Sequence, residues 1–395
     1  MYMTGKERMK IALTGGIPDR IPCAPDISNM IPAKLTGKPF QEIYIRNNPP
    51  LWRAYIDAVD RLGIDGWFTY AYLNFKTKSQ VSVEFKTHFE GDREIVTQII
   101  HTPKGDLTSS NTFYTADPPT PTEKLVKDFE KDFEKLLYMF PEITGYETTD
   151  YDMMNKAFGD RGLIMVTLTA PGFHIYNEYF EGNLEALTYA YYDYPDLFEE
   201  FHERYTKWTY RQLDMILDAK PESVLTGGSG SITMASPELF DRYSLPVIKT
   251  ITAECKKAGI ITGIHSCGKE MHLIERCANQ TDLDYVNPLE ISPQGDSDLK
   301  TAKQLYGKKL SLMGNLHTTN VMLRGDVRLV EKRSLEAILA AGEGGGFVLS
   351  TGDQCGRDTP LENIQTMVKV CKEYGDYSNF DTEKIENRLK ELNRE

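Results

Sequence analysis

The chain has 395 residues, enough for one large barrel or two domains, and carries a formal net charge of −13, with 58 acidic against 45 basic residues. Basic residues scattered through so acidic a chain argue against nucleic-acid binding, and no apolar run reaches the length of about 18 residues that spans a bilayer. The start "MYMTGKERMKIALTGG" lacks the apolar centre and cleavage site of a secretion signal, so a cytoplasmic protein is expected, with its six cysteines kept as thiols.

Along the chain, short β-rich runs alternate with longer amphipathic stretches, the pattern of a parallel sheet covered by helices. Eight such runs occur, at 21–27, 64–70, 163–169, 223–227, 260–265, 284–288, 309–315 and 346–351. Eight is the number that closes a (β/α)8 barrel, so the expected fold class is α/β, a single TIM barrel domain over residues 1–395. Residues 80–115 break the pattern: "VSVEFKTHFEGDREIVTQIIHT" reads as two strands joined at Glu90, Gly91 and Asp92, an antiparallel β-hairpin insertion in the barrel. Residues 116–130, rich in Pro, Thr and Lys, read as an exposed connection. Helical periodicity covers 184–219, broken near Pro195, and 236–258, where Ser236 is the N-cap and Pro237 the first helical residue. A tail helix over 383–394 repeats Ile385, Leu389 and Leu392 on one face.

Reactive groups of such a barrel gather at the C-terminal ends of its strands. Asp26 follows the first run, Gly227 and Ser229 the fourth, His265 and Cys267 the fifth, Glu290 the sixth, Asn315 and His317 the seventh, and Asp353 and Cys355 the eighth. His265 and Cys267 stand one apart where "IITGIHSCGK" ends an apolar run. Alternate residues of an extended segment point the same way, so imidazole and thiolate can converge on one ion, with Cys355 of "FVLSTGDQCGRDTP" as the third ligand. Mixed nitrogen and sulfur ligands favour zinc, and the lack of a Cys-x-x-Cys turn favours an open catalytic site over a closed structural one.

Glu290 or Asp353 could add a resting ligand, and both are candidate catalytic residues. His317 either orients substrate or makes a structural hydrogen bond. The glycine cluster "TGGSGS" at 226–231 lacks the lysine of a phosphate loop and reads as a tight loop that lets a ligand approach. Gly227 and Ser229, with Asn315, are therefore the candidate cofactor contacts. Cys255, Cys277 and Cys371 continue apolar helical patterns and read as core. His88, His101, His174 and His202 have no evident partner and receive no chemistry, and His272 reads as a surface residue.

The segments "ERMKIALTGGIPDRIP", "SPELFDRYSLPVIKTITAECKKAGIITGIHSCG" and "GEGGGFVLSTGDQCGRDTPLENIQTMVKVCKEYG" resemble the uroporphyrinogen decarboxylase superfamily. That resemblance implies a single (β/α)8 barrel. The decarboxylases grip porphyrinogen carboxylates with an arginine-rich N-terminal loop, whereas no arginine occurs here from Ile21 to Tyr44. The chain is more similar to the zinc methyltransferases of this superfamily, in methylcobalamin:coenzyme M methyltransferases and relatives that demethylate methoxylated compounds. This branch implies zinc on His265, Cys267 and Cys355, although Asp353 takes the position where better-known members place the later cysteine. No Asp-x-His-x-x-Gly corrinoid motif is present, so methylcobalamin or another methylated corrinoid is expected on a separate corrinoid protein that docks at the barrel mouth. The small-molecule partner is a thiol such as coenzyme M or a methoxylated compound. Uroporphyrinogen decarboxylation and a non-catalytic corrinoid or metal carrier are the competing readings.

Overall fold

The computed structural model describes residues 2–394. Seven parallel strands form one sheet in sequential order: Gly66–Ala71, Gly162–Thr167, Ser223–Gly227, Ile261–His265, Tyr285–Asn287, Ser311–Leu316 and Phe347–Thr351. The predicted first strand is short, and it closes the ring. Ala24 donates to the Leu349 carbonyl at 2.9 Å, Leu349 donates to that of Pro22 at 3.0 Å, and Asp65 donates to that of Cys23 at 2.8 Å. The segment thus joins the two sheet edges, leaving neither exposed, and gives the (β/α)8 barrel expected from the eight runs.

Alternate residues of the strands fill the barrel interior. Trp67, Leu163, Met165, Leu225, Tyr285, Met313 and Val348 form one buried cluster there, joined by Met9 of the helix Gly5–Leu13. Trp67 donates its indole N–H to the Tyr285 hydroxyl at 3.0 Å, so the two largest polar-tipped rings satisfy each other away from water. Gly263 on the next strand makes room for this pair: a Cβ there would lie 2.0 Å from the Tyr285 ring. The opposite strand faces pack on the helices in a second, larger core that includes Val224, Ile264, Val286 and Leu312.

Helices take the positions the periodicity predicts. Asn183–Asp193 and Pro195–Ala219 meet at Pro195, and the second buries Phe198, Phe201, Tyr205, Leu213 and Ile216 on one stripe. Ser236 caps the next helical stretch by accepting from the Leu239 amide at 3.2 Å, although a π-helical turn over Phe240–Ser244 interrupts it before Leu245–Ala258. The tail helix runs Thr382–Arg394.

The insertion is larger than a hairpin. Ser82–Glu90, Arg93–Thr102, Gly105–Phe113 and Thr120–Glu123 form a four-stranded antiparallel sheet. Part of the expected exposed connection is therefore an edge strand, held where the Glu123 carboxylate accepts from Ser110 at 2.9 Å. A separate antiparallel pair, Asn74–Lys78 with Glu142–Glu147, ties the insertion's two ends together. Beside it, Phe129, Phe133, Phe140, Tyr176, Phe201 and Tyr205 build an aromatic core of their own.

Candidate metal centre and active-site cavity

Strand register places the site. His265 pairs with Gly227 on one side and Asn287 on the other, all three at the C-terminal ends of adjacent strands. The carbonyl oxygen of Asn287's side chain meets His265 Nδ1 at 2.7 Å, while its amide donates to the Met313 carbonyl at 3.2 Å. Because the Asn287 amide is committed to Met313, its oxygen accepts from Nδ1–H, which leaves Nε2 free to hold a metal. Gly227 has a φ of 78°, in the left-handed region that glycine adopts without strain.

Three donor atoms of different chemistry converge there. One atom each from His265, Cys267 and Asp353 lies within 4.8 Å of the other two, with Nε2 of His265 3.7 Å from Oδ1 of Asp353. Burial works against charging the imidazole, but Cys267, Asp353 and Asp26 outweigh it and push its pKa up to about 10. A proton thus sits where acceptors crowd together, as a metal ion would. Imidazole, thiol and carboxylate are all zinc ligands, and three of them leave a fourth position open.

Cys355, the expected third ligand, lies outside this group of three, in which Asp353 stands instead. The Cys355 amide donates to the Asp26 carbonyl at 2.8 Å, and the fully buried side chain belongs to the apolar core outside the barrel. Burial and the nearby Asp26 push its thiol up to about 12, which opposes the thiolate a metal requires. The strand ends at Thr351, and the turn that follows delivers residue 353 to the mouth while residue 355 packs outward.

Glu290 supports the cysteine loop from beneath. It accepts from the Gly268 amide at 2.6 Å, and its own amide donates to Glu270 at 2.9 Å. Burial raises the pKa of Glu290 and pushes that of fully buried Glu270 well above the carboxylate range. Glu270, which the sequence reading overlooked, has one carboxyl oxygen with no partner.

His265 and Asp353 open onto a cavity of about 480 Å³ that includes Asp26, Trp67, Tyr70 and Glu178 in its wall. Gly227 and Ser229 also line it, as their loop position suggests. Asn315 and His317 do not; they line a separate cavity of about 210 Å³. His317 instead caps the turn over Thr318–Leu323, its Nδ1 accepting from the amides of Thr319 at 3.1 Å and Asn320 at 3.2 Å. Those amides begin a helical turn and have no carbonyl before them, so the ring satisfies the backbone there.

His174 also lines the cavity wall, contrary to its dismissal from sequence. It is 5% exposed, and burial lowers its pKa to about 4. Gly228 and Gly172 accept the ring: a Cβ on either would come within 3.0 Å of it. No local motif announces this residue; its importance arises from two distant loops meeting.

These features fit one superfamily. The chain belongs to the uroporphyrinogen decarboxylase (URO-D) family, whose model matches residues 80–374. Among curated relatives, it is 30% identical over 35% of its length to 37% of a uroporphyrinogen decarboxylase of Trichodesmium erythraeum. It is also 27% identical over 40% of its length to 45% of the methylcobamide:CoM methyltransferase MtbA of Methanosarcina mazei. The matched stretches thus span less than half of either relative. A solved methyltransferase from Methanosarcina mazei shares the fold over 94% of this chain and 99% of its own, with a TM-score of 0.64 at 16% identity. No described helix is long and apolar enough to cross a membrane.

Proposed function

We propose that this protein is a zinc-dependent methyltransferase that moves a methyl group between a small molecule and a separate corrinoid protein. The observation that carries the reading is the convergence of His265, Cys267 and Asp353 within 4.8 Å at the rim of the cavity. These three residues would hold the metal. Zinc bound there would supply a Lewis acid that lowers a thiol's pKa or polarises a departing methoxy oxygen.

The chain's own groups perform the positioning. Asn287 fixes the His265 ring, and Glu290 fixes the loop that carries Cys267. Gln354 braces the cavity side of the Asp353 turn, donating to the Tyr70 hydroxyl at 3.3 Å and to Ser28 at 3.4 Å. Gly227 and Ser229 keep the fourth-strand loop low, so a substrate can approach the His265 edge. The open mouth suits a corrinoid presented by another protein, as the names of the methylcobamide:CoM relatives suggest.

Decarboxylation of uroporphyrinogen fits less well, since the cavity lining contains no lysine or arginine to balance its carboxylates. The test is to mix zinc-loaded protein with cob(I)alamin and a methoxylated aromatic, then follow methylcobalamin by its absorbance. Methylcobalamin that depends on bound zinc supports the reading. Carbon dioxide release from uroporphyrinogen by metal-free protein would replace it with the decarboxylase reading, and zinc and corrinoid-protein binding without any transfer with either class of substrate would indicate a carrier.

A further inference from the structure

Apart from His265, the charged side chains of the cavity wall are all acidic. Asp26, Glu178 and Asp353 line it, with no lysine or arginine among the lining residues. Asp26 is 5% exposed, and one of its oxygens accepts from both the amide and the hydroxyl of Ser28, at 3.0 and 2.6 Å. Glu178 lies on the exposed side of the wall and forms no ion pair among the described residues. Its position beyond the short helix Phe173–Tyr176 places it on the third-strand loop, across the ring from the Asp353 turn.

A divalent ion on the metal ligands leaves the sign of the remainder unchanged, because the Cys267 thiolate and the Asp353 carboxylate offset its charge. Glu178 stays uncompensated, and Asp26 offers no positive charge in either protonation state. The rest of the wall is aromatic or hydroxylic, with Trp67, Tyr70, Tyr72, Thr69 and Thr167 among its members. Such a surface attracts cations through carboxylates and ring faces, and it provides no lysine or arginine to offset the charge of a buried carboxylate or sulfonate.

We propose that the small molecule bound in this cavity carries no anionic group, and that Glu178 sets the preference for an uncharged or cationic substrate over an anionic one of the same shape. This inference rests on the methyltransferase reading for the identity of the reacting group, but not for the sign of the preference. It separates this protein from a coenzyme M enzyme, because coenzyme M is a sulfonate.

Calorimetry on the zinc-loaded protein with three methoxybenzene probes tests it. The probes differ at the para position alone: 4-methoxybenzylamine, 4-methoxybenzyl alcohol and 4-methoxybenzoate. The benzoate is expected to bind at least about 10-fold more weakly than the amine, with the alcohol between or equal to the amine. Glu178→Lys should shift the order toward the benzoate by about 10-fold or more, while Glu178→Gln should narrow the spread. Benzoate binding as tightly as the amine in the wild type, an unchanged order in Glu178→Lys, or no binding of any probe would overturn the inference. The ligand order is read without turnover, so a preserved order with no methyl transfer to cob(I)alamin would defeat the functional reading and leave the substrate preference standing.

Discussion

The two ends of the barrel treat charge in opposite ways. At the N-terminal end of the strands, Arg8 is 6% exposed and forks onto Asp19 at 2.7 and 2.9 Å while reaching Asp65 at 2.6 Å. Arg20 joins Asp65 at 3.0 Å, and the same carboxylate accepts from the Cys23 amide at 2.9 Å. Each of these four charges has a partner, and the network fastens the short strand that closes the ring. At the C-terminal end, Asp26, Asp353 and Glu178 face a cavity whose lining has no lysine or arginine, and His265 is the one basic group drawn in among the carboxyls and Cys267. Paired charges hold a structure together, whereas a surplus of acceptors around an open space awaits a cation from outside.

Substitutions at each end should therefore fail differently. Arg8→Met leaves half-buried Asp19 without its cation and buried Asp65 with Arg20 alone, so we expect about 3–5 kcal/mol of destabilisation in urea unfolding, with metal content unchanged in the folded fraction. Loss of zinc with intact stability would reverse the roles assigned to the two ends. Cys267→Ala should do the opposite, abolishing stoichiometric zinc and lowering methyl transfer by more than the roughly 100-fold that loss of a supporting partner costs. Asn287→Ala removes such a partner from His265, and about 10- to 100-fold weaker zinc binding by competition with a chelator is the expected result.

The smallest effect concerns His174 and pH. An unfolded imidazole takes a proton below about 6.5, while the folded one resists until about pH 4. The unfolded state binds more protons in that window, so stability falls as pH drops through it. His174→Phe removes this contribution and should spare about 2 kcal/mol of the stability that wild type loses between pH 7 and pH 4.5, giving a flatter slope. Equal slopes in the two proteins would place the ring in contact with water.

Much of this was legible in the chain, and what was not has a common cause. The alternation of β-rich and helical runs located the barrel strands to within a few residues, because burial on both faces imposes long apolar runs on parallel strands. His265 and Cys267 were visible because both lie on one local segment. Asp353 against Cys355 was not decidable, since the turn after Thr351 determines which side chain enters the mouth and nothing in the spacing fixes that turn. Asn287, Glu270 and His174 were missed because each acquires its role through a residue more than fifteen positions away, by register or loop contact. His317 misled in the other direction: a histidine at a strand end resembles a catalytic group, but its ring caps the next turn.

The central claim, a metal held by His265, Cys267 and Asp353 with Cys355 excluded, is tested most directly by zinc-edge X-ray absorption of the metal-loaded protein. The account predicts one sulfur in the first coordination shell, with nitrogen and oxygen making up the rest, and the same spectrum from Cys355→Ala. Two sulfur ligands in the wild type, falling to one in Cys355→Ala, would contradict it.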